Sequence, residues 1–192
     1  MVGQHAMYGG GGFAPHTIQS PPIGRVEING TAVSELGMEL ALFRDTRFLA
    51  VIGDAAAVRE AQALCPGVSG FAVKDLDKGR FPTAPETFPG IKETVARALS
   101  LRDEAPCLAL HPPFRIAMST VDGWHFDPEA RFPGQRVARF WFRRLYGGAF
   151  REGRAEWGGK RLVSCIGLVY MMRMFIVRDS GAAGAAGGPP SP

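Results

Sequence analysis

Two imidazoles and a carboxylate are the residues of this chain best suited to chemistry. His5 stands in Gly3-Gln4-His5-Ala6-Met7, His16 in Ala14-Pro15-His16-Thr17 and Glu35 in Ser34-Glu35-Leu36-Gly37, with Gly9 to Gly12 between the histidines. Neutral imidazole and carboxylate are usual nitrogen and oxygen ligands of zinc. An imidazole near neutral pH can also take or give a proton. On residue type alone, His5 or Glu35 could hold a metal and His16 could move protons. The plainer alternative is a pair of surface or hydrogen-bonded histidines. Spacing does not decide between these, because the separation of His5 from His16 matches no compact ligand repeat such as His-Glu-x-x-His, where one helical turn aligns the pair. The intervening glycines reach backbone conformations closed to other residues, so the loop could bring both rings to one point.

The elements that must position these residues read as an alternating pattern. Val26 and Ile28 lead into Asn29-Gly30, a tight-turn signal, and Val33 follows, which predicts a short hairpin. Ser34 can cap a helix from Glu35 towards Phe43 with Leu36, Leu40 and Phe43 on one side. Glu35 then lies in the first turn, where the helix dipole favours a negative charge with or without a metal. Phe48 to Ile52 reads as a buried strand ending at Gly53, and Asp54 can cap a helix carrying Val58, Ala61 and Leu64 before Pro66-Gly67 stops it. Phe71 to Val73 is a further strand, with Lys74 at its end either facing the site or, as the plainer reading, in solvent. The proline-rich stretch from Phe81 to Pro89 reads as loop, and Ile91, Val95, Ala98 and Leu99 mark a helix. Strand and helix alternating over short connections predict an α/β layered fold with a partly parallel sheet, in which ligands sit beyond the strand ends, near His5 and Lys74.

Several of these segments together resemble the second half of the bacterial zinc-dependent D-aminopeptidases of the dipeptide-operon type. The resemblance is carried by His5-Ala6-Met7, the glycine loop, Ala-x-His-Thr, Arg25-Val26-Glu27-Ile28-Asn29-Gly30 and Ser-Glu-Leu-Gly. It continues through Phe48 to Ala61, Leu64-Cys65-Pro66-Gly67-Val68 and Phe71-Ala72-Val73-Lys74. It implies a hydrolase that releases D-amino acids from the N-terminus of short peptides at a pair of zinc ions sharing one aspartate. By the same resemblance His5 is similar to a ligand of one zinc, Glu35 to a ligand of the other, and His16 to the catalytic histidine. A ring-like homo-oligomer is also implied. The family takes its bridging aspartate, a glutamate and another histidine from a segment that would precede residue 1. Each metal would then keep one family ligand here, where catalytic zinc takes about three from protein plus water. The expectation is a truncated reading frame, a split gene or a misplaced start, with His111 and His125 the remaining imidazoles that could substitute.

The expected organisation is a D-aminopeptidase-like portion over residues 1–105, a weakly matching α+β extension over 106–179, and a disordered Gly/Ala/Pro tail over 180–192. In the extension, Phe114 to Met118 reads as a strand and Ala138 to Phe150 as a helix with an aromatic face. Cys165 to Val177 is apolar except for Arg173, but too short for a membrane helix of about 20 residues, so it reads as core or a partner-facing strip. Met171, Met172 and Met174 read as packing residues. A chain of 192 residues with 46% apolar content suffices for a folded core.

Cys65, Cys107 and Cys165 form no Cys-x-x-Cys clip, which favours a reducing interior, and the amino terminus lacks the regions of a signal peptide, so the cytoplasm is the default. The net charge is +4, with basic residues in excess between Arg131 and Arg178. Arg139, Arg143 and Arg144 interleaved with Phe140, Trp141, Phe142 and Tyr146 could join phosphate contacts to base stacking, which makes a nucleic-acid-binding module one alternative class. Arginine stems covering an apolar face are the plainer account. A catalytically silent fragment acting as a structural or interaction protein is the other alternative.

Overall fold

The computed structural model describes residues 1–18, 22–151 and 153–179. The expected tail over 180–192 therefore lies outside the described residues. In chain order the elements are β1 (Val2–Gln4), β2 (Ile23–Ile28), β3 (Thr31–Val33), α1 (Glu35–Leu42), β4 (Ala50–Asp54), α2 (Ala55–Leu64), β5 (Ser69–Lys74) and α3 (Ala84–Ser100). There follow β6 (Phe114–Thr120), β7 (Trp124–Phe126), α4 (Gln135–Phe140), β8 (Ala149–Arg151), β9 (Arg154–Gly159), α5 (Leu162–Met172) and β10 (Ile176–Arg178). The fold is α/β with parallel and antiparallel pairing.

A three-stranded parallel sheet, in the order β1-β4-β5, carries the histidine segment. Asp54 ends β4 and starts α2, its side chain accepting the Ala57 N–H at 2.8 Å. The crossover through α2 buries Val58 and Ala61 with Leu36 and Leu40 of α1 and with Phe48, Val51 and Val68. At Gly53 a Cβ would stand 2.5 Å from the Gln4 carbonyl oxygen, so β1 can lie this close to β4 only because residue 53 lacks a side chain.

The larger sheet is antiparallel, in the order β3-β2-β6-β9-β8. Its β2–β3 hairpin turns at Asn29-Gly30 with φ of 52° and 85°, the pair of positive values a two-residue type I′ connection requires. Because side chains alternate along a strand, Val26 and Ile28 enter the core while Arg25 and Glu27 face outward. On the inner face α5 lays Leu162, Cys165, Ile166, Val169 and Met172 against Met118, Ala155 and Trp157. Each large apolar side chain fully buried there contributes about 1.5–3 kcal/mol. Trp157 satisfies its indole N–H by donating to the Cys165 carbonyl at 2.8 Å. On the outer face Arg154 bonds Glu27 at 2.8 Å and Glu156 at 2.7 Å, and Arg25 bonds Glu27 at 2.8 Å. The short strands β7 and β10 pair separately.

Three expectations need correction. The stretch from Phe81 to Pro89 is not all loop, for α3 begins at Ala84. Glu86 accepts from the Thr83 N–H at 2.6 Å and the Thr83 hydroxyl at 2.7 Å, and Pro85 sits in the first turn, where its missing N–H costs nothing. The helix marked by Ile91, Val95, Ala98 and Leu99 is present as α3, with Thr87, Thr94 and Ala98 buried and Val95 and Leu99 exposed. Phe43 lies past the end of α1 and is 66% exposed, apart from buried Leu36 and Leu40. The helix expected over Ala138 to Phe150 is α4 prolonged by a wide π-type turn, Trp141–Leu145, and Phe150 stands on β8.

Cys165 to Val177 supplies the end of α5, a short 3-10 turn and β10, with Met172 and Phe175 fully buried and Met174 exposed. Cys65 and Cys165 are buried, Cys107 is exposed, and all are free thiols. Among the described residues no helix is long and apolar enough to cross a membrane.

Candidate active site

The site forms where the parallel strands end. His5 follows β1 directly and Asp54 closes the neighbouring β4. Beyond His5 the chain loops out through the glycines and returns. It is tied by the His16 N–H to the Ala6 carbonyl at 3.0 Å and by the Tyr8 N–H to the Thr17 hydroxyl at 3.1 Å. Gly12, at φ +86°, rests against the start of α2, where a Cβ would come within 2.8 Å of both Asp54 Oδ1 and the Ala56 Cβ. This return brings the His16 ring to 5.6 Å from the His5 ring, centroid to centroid. Both imidazoles remain accessible to solvent.

Hydrogen bonding assigns the ring protons. His5 Nδ1 lies 2.8 Å from the Phe13 carbonyl oxygen, which can only accept, so Nδ1 carries the hydrogen and Nε2 keeps its lone pair when the ring is neutral. His16 Nδ1 lies 3.2 and 3.1 Å from the two Glu35 oxygens, so the same holds there. Glu35 is fixed by the first turn of α1, whose cap Ser34 accepts the Gly37 N–H at 3.4 Å. The three side chains His5, His16 and Glu35 thus come together, through His16. A ring with its Nδ1–H held by a carboxylate and its Nε2 free is suited to accept a proton from water or a bound nucleophile.

Two further carboxylates shape the site. Asp54, expected only as a helix cap, is 4% exposed, and its Oδ2 stands 3.6 Å from His5 Nδ1 with no hydrogen-bond partner among the described residues. Glu60 of α2, which the sequence did not single out, accepts from the Met7 N–H at 3.0 Å and the Ser34 N–H at 3.1 Å. Lys74, in solvent on the plainer reading, is half-buried with its ammonium 4.3 Å from the centre of the Phe13 ring. His111 and His125 are not part of the cluster. The His111 carbonyl accepts from Asn29, and the His125 ring pairs with Asp179 at 2.5 Å between β7 and β10.

Zinc suits these donor types, but the number present falls short. Among the described residues no group of three or more His, Cys, Asp or Glu side chains could hold one ion, whereas a catalytic zinc takes about three protein ligands. The described residues therefore do not by themselves make a complete zinc site. The arginine and aromatic cluster is also partly committed to the fold: Phe142 is fully buried, and Arg139 pairs with Glu129.

A family model described as D-aminopeptidase matches residues 1–139. The chain belongs to this peptidase family. The match reaches past residue 105 and takes in β6, β7 and most of α4. No curated protein matches the sequence. Among solved structures, the chain is similar to the Zn-dependent D-aminopeptidase DppA from Bacillus subtilis, described as a self-compartmentalizing protease. The two share 20% identity and a TM-score of 0.72 over 90% of this chain and 61% of that one. At that identity the likeness is one of fold, and the chain spans about 61% of the length of this neighbour.

Proposed function

We propose that this chain carries part of a peptidase site that hydrolyses short peptides beginning with a D-amino acid, with His16 as its proton-transfer residue. The observation that carries this reading is the His16 ring held by both Glu35 oxygens at 3.1 and 3.2 Å beside the His5 ring. Glu35 orients and charges the dyad, and His16 Nε2 receives the proton that hydrolysis must remove from the attacking group. Belonging to the D-aminopeptidase family supports the reaction class. The zinc dependence of the structural neighbour supports His5 and Glu35 as contributors to two zinc ions once donors beyond the described residues join them. Zinc so bound would polarise a carbonyl and acidify water. The neighbour's self-compartmentalizing character supports assembly of this chain into a homo-oligomer, and its free thiols support work in the cytoplasm.

The test is release of D-alanine from a D-Ala dipeptide with zinc present. His16→Ala should lower the rate by about 10²–10⁴, the usual contribution of a proton-transferring side chain. Glu35→Gln should lower it less. Full activity in His16→Ala overturns the assignment. Absence of any release from the unaltered chain favours a second reading, a silent fragment acting as a structural or interaction protein.

A further inference from the structure

Glu60 lies in α2, away from the imidazoles, and takes no part in the proton transfer described above. Its Oε2 accepts the Met7 N–H at 3.0 Å, and its Oε1 accepts both the Ser34 N–H at 3.1 Å and the Ser34 hydroxyl. Met7 is two positions beyond His5, and Ser34 immediately precedes Glu35. Ser34 is fully buried, and its hydroxyl oxygen in turn accepts the Gly37 N–H at 3.4 Å. One carboxylate therefore bonds the loop that presents the histidines and the first turn of the helix that presents Glu35. The loop is closed on itself by the His16 N–H to Ala6 carbonyl and Tyr8 N–H to Thr17 hydroxyl bonds, and α1 is anchored by buried Leu36 and Met38, while Glu60 bonds the one to the other. The loop runs through Gly9 to Gly12 and buries few apolar side chains, and residues 23–34, which separate His16 from Glu35, belong mainly to the other sheet.

We propose that Glu60 is a positioning residue that sets the distance between the His5–His16 loop and Glu35, an assignment that rests on the peptidase reading for its purpose but not for its geometry. A carboxylate is needed because all three groups that meet it are donors, and an ionised acceptor makes the stronger bonds. Glutamine at this position has one oxygen and one NH2 group. If the oxygen stays on Ser34, the NH2 group meets the Met7 N–H donor to donor, and that arm of the clamp opens. Aspartate is one methylene too short to reach both segments.

The experiment is nuclear magnetic resonance on the full chain and its Glu60→Gln variant. In the unaltered chain the ring-to-ring Overhauser contact between His5 and His16 and a downfield Nδ1–H signal from His16 should both be present. In the variant both should weaken strongly. The Met7 and Ser34 amides should exchange about tenfold faster, while Val26 and Met118 in the antiparallel sheet keep their protection. Should Glu60→Gln fail to fold, Ser34→Ala removes the hydroxyl arm together with the Gly37 cap but leaves both N–H arms, and the His5–His16 contact and Met7 amide, which the cap does not touch, should shift in the same direction by a smaller amount. Unchanged ring contacts and amide exchange in the folded variant overturn the clamp. That result would leave the peptidase reading intact, since that reading stands or falls on D-alanine release with and without His16.

Discussion

The two sheets of this molecule are held in different ways. The antiparallel sheet is fixed by apolar mass: Phe142, Phe150, Trp157 and Phe175 interlock, with Phe142 and Phe150 centroids 4.6 Å apart, under a helix whose inner side is wholly apolar. The parallel sheet is small and has a modest core. The chemistry-bearing loop beside it is placed by single polar contacts: Glu60 on the Met7 N–H, the Thr17 hydroxyl on the Tyr8 N–H, the Ala6 carbonyl on the His16 N–H and the Phe13 carbonyl on the His5 ring. Apolar packing is non-directional and tolerates sliding, so it suits a platform. Hydrogen bonds specify direction, so they suit side chains whose orientation decides what they can do. The site thus stands on the less massive half and is oriented by polar groups.

The sharpest way to break the comparison is Phe142→Ala. Removing a fully buried ring from the antiparallel core should cost about 3–5 kcal/mol, read as a lower urea midpoint, while any protein still folded keeps the His5–His16 contact. If ring contact and stability fall together, the two regions are not separable in this way. Next is Asp54→Ala, which should cost about 1 kcal/mol as a lost helix cap. Asp54→Asn keeps a capping oxygen and should recover most of that loss in the same denaturation measurement.

The smallest effect belongs to the outer face of the large sheet. Burial pushes the Glu27 carboxyl up, but hydrogen bonds and charge from Arg154 and Arg25 outweigh this and hold it below its ordinary 4.5. A carboxyl lowered in the folded state stabilises at neutral pH, and that contribution fades as pH falls below about 4.5 and through the folded value. The contribution is at most about 1 kcal/mol for so open a ladder. Glu27→Gln should flatten the acid limb of stability against pH, and an unchanged limb would show that the ladder adds nothing.

Local signals in the sequence translated well into structure. Asn29-Gly30 turns, Ser34 and Asp54 cap, and β4 and β5 fall close to where short apolar runs placed them, because each depends on residues within a few positions. The start of α3 is legible too, in Thr83 and Glu86, with Pro85 in the first turn where proline fits best, whereas Pro89 lies inside the helix and reads against it. Phe150 left its expected helix because Gly148 must sit flush against the Phe142 ring, leaving no room for a side chain as the chain turns into β8. The site was legible only in its parts. Neither the contact of His16 with Glu35 nor that of Glu60 with Met7 and Ser34 follows any periodicity, for both arise when β1 docks beside β4 and α2 packs back against the sheet.

The glycine at position 53 gives that docking an unforgiving tolerance. With the Gln4 carbonyl 2.5 Å from where a methyl would be, even alanine would wedge the first strand outward. His5, the next residue along, would swing away from its neighbour with the whole strand as lever arm. A glycine beside the histidine strand is therefore a position at which a single added methyl should misalign the chemistry.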